Sequence, residues 1–214
     1  MKNIILAVLI LCLLFLLACG DINELQEKQS AATAEAQTTE PQTKVTRTTE
    51  VQTTEAPMEA FIRRYVEIAL AEPRNPQRAD GYTKYGEYFG DADAQWCTEF
   101  AVWCICKADE AFGTDYAGTL LPKKTSAYSC VLWHKENGSF RFAGEYTPRM
   151  GDLIYFDYDG DGNCDHTGIV TGTESGFVLT VEGNLPEDYP NGVIRERRLP
   201  EDNPIIYGYG VAPR

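Results

Sequence analysis

Histidine is almost missing from this chain of 214 residues, which holds only His134 and His166. There is no Cys-x-x-Cys pair, and neither histidine stands beside a paired-cysteine spacing, so the usual zinc frameworks are excluded. No apolar run reaches the ~20 residues of a comfortable membrane-spanning helix. Basic charge is short too: 19 Lys and Arg face 32 Asp and Glu, a formal net charge of −13. That balance lacks the cationic footprint of a nucleic-acid binder. Between Gly20 and Pro57 large apolar side chains are nearly absent, and Thr-Thr-Glu recurs at Thr38, Thr48 and Thr53. A stretch of this composition cannot bury a core and reads as a disordered tether, with a reach of about 35 Å as a flexible coil. Its threonines also permit O-glycosylation.

What is present begins with Met1-Lys2-Asn3 and an apolar run from Ile4 to Ala18, closed by Leu16-Leu17-Ala18-Cys19. This is the pattern of a secretory signal ending in a lipobox. It predicts a signal peptide over 1–18, lipid modification of Cys19, a tether over 19–57 and one domain over 58–214, a size able to hold a sizeable core. The mature protein is then expected outside the cytoplasm, lipid-anchored to the bacterial cell membrane. An uncleaved anchor would leave the chain on the same side. Of the seven cysteines, Cys12 departs with the signal and Cys19 takes the lipid. Cys104, Cys106, Cys130 and Cys164 show no disulfide-framework spacing, and Cys104, seven residues after Cys97, reads as a buried thiol on the same helix face.

In the domain, Phe61, Ile62, Tyr65, Val66, Ala69 and Leu70 form a stripe at helical spacing that Pro73 ends. Asp80 to Asp93 reads as an irregular lead-in. Phe100, Ala101, Cys104 and Ala108 then repeat at helical spacing, which puts Cys97 at a helix start, where N–H groups and the helix dipole lower a thiol pKa. The second half changes period. Leu153–Asp157, Thr167–Thr173, Phe177–Glu182, Val193–Leu199 and Ile205–Val211 are short β-branched or aromatic runs, predicting antiparallel strands. A turn at Glu174-Ser175-Gly176 would set His166 across from Glu182.

Cys97, then His166, then Glu182 and Asn184 is the order of a papain-like thiol hydrolase. A thiol becomes a nucleophile when an imidazolium stabilises its thiolate and a third polar group holds the ring. Glu182 is the choice for that third group. Asn184 supports it, polarises the substrate or makes a turn. The backbone N–H of Cys97 is the first candidate oxyanion donor, and a nearby side chain such as Gln95 is a weaker candidate for the second. His134, before a Gly at a helix end, is given a structural role beside the last carbonyls. Glu99 places a carboxylate two residues from the thiol and would oppose the thiolate if it faced it.

The segments "YTKYGEYFG", "WCTEFAVWC", "PRMGDLIYFDYDGDGNCDHTGIV", "TVEGN" and "IIYGYG", in this order, resemble the CHAP family of cysteine- and histidine-dependent amidohydrolases and peptidases of bacterial peptidoglycan. The resemblance runs from about Phe61 to the C-terminus. It implies an α+β, papain-like (NlpC/P60-like) fold with N-terminal helices packed on an antiparallel sheet. Cys97 would attack an amide carbonyl with His166 as its proton partner. Peptidoglycan is then the expected partner, with no organic cofactor, and the protein is expected to be a monomer.

Asp157, Asp159, Asp161, Asn163 and Asp165 match the first half of a calcium loop, while Gly168 stands where an EF-hand carries its bidentate Glu. Calcium bound there would rigidify the approach to His166; a solvated acidic loop is the alternative. Three readings of the whole remain open on the sequence. They are a peptidoglycan amidase or endopeptidase working through a thioester, a catalytically inactive calcium-binding and wall-binding lipoprotein, and a thiol acyltransferase.

Overall fold

A computed structural model describes residues 57–78, 80–91, 95–188 and 191–214. The expected signal peptide, the lipid-bearing Cys19 and the tether lie outside the described residues. Among the described residues four helices precede the sheet: α1 (Pro57–Ala71), α2 (Lys84–Phe89), α3 (Cys97–Phe112) and α4 (Ala127–Glu136). Six strands follow, β1 (Phe140–Phe142), β2 (Leu153–Phe156), β3 (His166–Glu174), β4 (Phe177–Asp188), β5 (Asn191–Pro200) and β6 (Ile206–Gly210). They form one antiparallel sheet in the order β1-β6-β2-β3-β4-β5. This is the α+β, papain-like arrangement of helices on a sheet that the sequence predicts.

α1 buries Phe61, Ile62, Tyr65, Val66 and Ala69, the expected stripe. Leu70 is a correction, since it faces outwards and is 44% exposed. The lead-in of 80–93 is not wholly irregular. Thr83 accepts a hydrogen bond from the N–H of Gly86 and so caps α2, and Gly90 closes it in the left-handed conformation. α3 is buried on nearly every side from Cys97 to Cys106, as befits a central helix. α4 opens on Ser126, whose hydroxyl accepts from the N–H of Ser129.

The sheet separates two cores by the alternation of side chains along each strand. Leu153 and Tyr155 of β2, Ile169 of β3 and Val181 of β4 join the helices. Ile154, Phe156, Val170 and Val178 pack on the opposite face with Leu199, Ile206 and Tyr209. His166 shares its parity with Val170, and Glu182 with Val178, so both belong to the face away from the helices. The β3–β4 turn forms at Ser175 and Gly176, both at positive φ.

The hairpin register corrects one expectation. A shift between Val170 and Gly172 sets Ile169 opposite Val181, and continuing by one residue puts Glu182 opposite Gly168 and not His166. Glu182 must therefore lean along the sheet to reach the imidazole. Gly168 gives it the space: a Cβ there would stand 2.5 Å from Glu182 Cγ. Gly183 serves the other face. A Cβ on it would come within 2.8 Å of both Trp96 and Phe100, so its absence lets the first turn of α3 settle on β4.

Candidate active site

α3 begins at Cys97, and its N-cap residue, Trp96, supplies no side-chain hydrogen bond. The first-turn N–H groups thus lack a side-chain cap and, with the dipole, favour negative charge on the Cys97 sulfur. The thiol is buried, with contacts of 3.8 Å to the Gln95 carbonyl and to Thr98 Oγ1. It also meets the His166 ring and the backbone N–H of Thr167 at the start of β3.

His166 is 5% exposed, and its Nε2 lies 3.1 Å from Glu182 Oε2. That leaves Nδ1 as the ring nitrogen available to the thiol. Phe156 and Tyr158 pack against the ring, at centroid distances of 5.5 and 5.8 Å. Glu182 is fully buried and heavily bonded: Oε1 accepts from Thr180 Oγ1 at 2.5 Å, and Oε2 accepts from Arg197 Nη1 at 3.0 Å as well as facing the imidazole. The result is a row of alternating charge, Arg197, Glu182, His166, Cys97.

The electrostatics follow from this row. Burial alone would push the Cys97 thiol up, but the hydrogen bond and charge of His166 outweigh it and hold the thiol below its ordinary value. Burial alone would lower His166, and the contacts with Cys97 and Glu182 reverse that and raise it. Both shifts favour a thiolate–imidazolium pair. Cys130 and Cys164, also buried, are driven by burial up to about 12 and keep their protons. Cys164 donates to the His166 carbonyl at 3.2 Å. All the described cysteines are unbridged and buried, Cys104 among them.

Glu99 does not oppose the thiolate. Residues two apart on a helix point about 200° apart, and the groups acting on the sulfur do not include its carboxylate. Both of its buried oxygens lack hydrogen-bond partners, and burial, then Asp91, pushes it up to about 7.

Asn184 does not touch the imidazole. It sits at φ 58° in the β4–β5 irregularity, and its Nδ2 donates to Gln95 Oε1 at 2.8 Å. That bond ties the rim of the cavity together and leaves Nε2 as the donor of Gln95. His134 lies in the last turn of α4, the helix end that the sequence predicts. It is fully buried, and its ring does not approach the last carbonyls of α4: Nδ1 lies 2.8 Å from Ser139 Oγ, and the ring packs so close to Gly210 that a Cβ there would be 2.1 Å from Nε2. Arg197 is the residue the sequence reasoning missed. It lies in the run Arg195-Glu196-Arg197-Arg198, where nothing in the spacing distinguishes it from a solvated strand edge.

Among the calcium candidates, Asp157, Asp159 and Asp165 bring one carboxylate oxygen each within 4.8 Å of the others. Oxygens on one calcium ion at about 2.4 Å stand no more than about 4.8 Å apart, so this trio fits a cation. Asp161 and Asn163 are turned to each other: both Asp161 oxygens accept from Asn163, through its backbone N–H and its side-chain amide. Gly168, at the place of the missing glutamate, lies inside β3.

Residues 88–184 match the family model of the CHAP domain, the family that the sequence motifs resemble, and this part of the chain is a CHAP domain. The match takes in Cys97, His166, Glu182 and Asn184, while β5 with Arg197 lies beyond it. CHAP domains are typically hydrolases, and the match indicates amidohydrolase or peptidase activity on peptidoglycan in general. A search of curated proteins returned no match to the chain.

Proposed function

We propose that the protein is a cysteine-dependent peptidoglycan amidase or endopeptidase, lipid-anchored through Cys19 at the outer side of the bacterial cell membrane. The observation that carries this reading is the Cys97–His166–Glu182 row at an uncapped helix start, opening on a cavity of about 590 Å³. The Cys97 thiolate attacks the amide carbonyl, and the N–H of Cys97 with the Gln95 side chain faces the oxyanion. Collapse breaks the C–N bond, His166 gives its proton to the leaving amine, and a thioester remains. His166 then takes a proton from water, whose oxygen attacks the thioester and releases the acid. Glu182 keeps the ring oriented and its charge balanced, with Arg197 behind it.

The lipid and tether are proposed to supply the localisation, because a net charge of −13 gives no attraction to an anionic wall. Asp157, Asp159 and Asp165 are proposed to hold calcium, whose positive charge would relieve their mutual repulsion and stiffen the loop leading to His166. A calcium titration is expected to raise the melting temperature and activity together; an unchanged melting temperature sinks the calcium assignment. The decisive test of the enzyme is digestion of purified peptidoglycans by the protein and by Cys97→Ala, with calcium and with chelator, and mass spectrometry of the products. Fragments released only with Cys97 intact establish the hydrolase and identify the bond. No release by a folded, calcium-loaded protein overturns it in favour of a wall-binding lipoprotein. Products carrying an added amino acid would identify acyl transfer to an amine.

A further inference from the structure

The Cys97 thiol lies between two cavities of unlike chemistry. One, of about 370 Å³, carries Asp91 and the side chains of Thr98, Thr125, Ser126 and Tyr128. The other, the cavity of about 590 Å³, carries Tyr158, Asn184, Arg195 and Arg197 together with His166. In a chain with 32 acidic and 19 basic residues, two arginines beside a nucleophile are a local reversal of charge.

Their placement follows from the sheet. Arg195 stands opposite Glu182 in the β4–β5 register, and Arg197 stands opposite Thr180. Two residues apart, they share one face of β5, the face of Glu182 and His166. Both are half-buried. Arg197 gives Nη1 to Glu182 and also bonds the Tyr158 side chain, and it lines the cavity beside that ring. Leu185 and Pro186 form an apolar side of the same cavity, which limits water around the guanidinium groups and strengthens a charge-assisted hydrogen bond. Asp165 also lines this cavity, and its Oδ2 accepts from the N–H of Tyr158. A guanidinium matches a carboxylate by paired N–H donors as well as by charge, which an ammonium does not.

We propose that Arg195 and Arg197 form a carboxylate subsite, which holds an acidic residue of a peptide substrate beside the amide that Cys97 attacks. This assignment rests on the hydrolase reading for the word substrate, but the binding it describes is measurable without turnover. The carboxylate is either an acidic side chain or a peptide C-terminus. The subsite would select peptides carrying a negative charge next to the cleaved bond over their amidated counterparts.

The test uses the whole protein in its Cys97→Ala form, and calorimetric titration with muropeptide stem fragments in matched pairs. One pair differs by carboxylate or carboxamide at the acidic side chain, the other at the C-terminus. Binding tighter by tenfold or more for one carboxylate member, weakening with salt and levelled in Cys97→Ala/Arg195→Gln, is expected, and the pair that shows it names the source. Equal affinity within both pairs, or no binding by any carboxylate fragment, overturns the subsite. Since the paired ligands are compared on one folded protein, a poorly folding Arg195→Gln does not blur the outcome. With Cys97 intact, kcat/KM is expected to show the same preference. Selective binding without product from the intact protein would retain the subsite and reject the hydrolase.

Discussion

The two histidines are both buried, yet their surroundings drive them in opposite directions. His134 has Ser139 as a neutral partner, and burial lowers it to about 4. His166 is buried too, but the Cys97 thiol and the Glu182 carboxylate overcome the desolvation and raise it. Burial by itself therefore makes a neutral, packing histidine. Burial with an acid on each ring nitrogen makes a cation that can hold a thiolate and protonate a leaving group. The same contrast separates the thiols, since Cys97 is lowered while Cys130 and Cys164 are raised.

The comparison breaks most sharply under truncation. His166→Ala is expected to cut the rate of peptidoglycan cleavage by about 10³-fold or more, whereas His134→Phe should leave kcat/KM within a few-fold; fragment release by both variants decides. A large loss in His134→Phe with native melting behaviour would give His134 a role in the chemistry.

Glu182→Gln tests the charge that distinguishes the pair. Cleavage should fall by about 10²-fold. The thiolate–imidazolium pair exists above the lowered Cys97 value and below the raised His166 value, so activity against pH is bell-shaped. Removing the carboxylate charge takes away support for the imidazolium, and the alkaline limb should move to lower pH. A limb that stays in place would show that Glu182 only positions the ring.

Gly168→Ala reaches the same contact indirectly, by driving a methyl group into Glu182 Cγ. The expected cost is about 1–3 kcal/mol of stability, with about tenfold lower activity as the carboxylate leaves the ring. Denaturant unfolding alongside kinetics reports both, and unchanged values would mean that β3 shifts to make room.

The smallest effect concerns stability against pH. For His134 the folded value is depressed from 6.5 to about 4, so the unfolded chain binds the extra proton between those values. Stability must then fall on acidification through that window, by at most about 1.4 kcal/mol per pH unit, and His134→Phe should flatten the slope. His166 acts with the opposite sign: its raised value contributes stability that is complete below 6.5 and lost as pH climbs through the folded value.

Much of this site was legible in the sequence because its parts are local. Apolar spacing after Cys97 placed it at a helix start, and β-branched runs broken by Gly and Asn marked the strands on which His166 and Glu182 lie. The short α2 escaped notice because its six residues carry too few apolar positions for a helical period, and its signals are the caps at Thr83 and Gly90. β1, three residues long, is defined by pairing with β6 at the far end of the chain. Arg197 was illegible for the same kind of reason, since one arginine in a charged run is singled out only by which neighbour crosses the sheet to it.

Side-chain type and local spacing alone set the period of each element, the order Cys97, His166, Glu182 and the acidic balance of the chain. Tertiary structure decided which side chains meet. The register shift in the β3–β4 hairpin placed Glu182 opposite Gly168 and made it lean to the imidazole, and the helix turned Glu99 away from the sulfur. Sheet pairing brought Arg197 behind Glu182. Those outcomes depend on pleat, twist and close approach between segments far apart in the chain, and one residue of slip in any of them would carry a side chain to the opposite face.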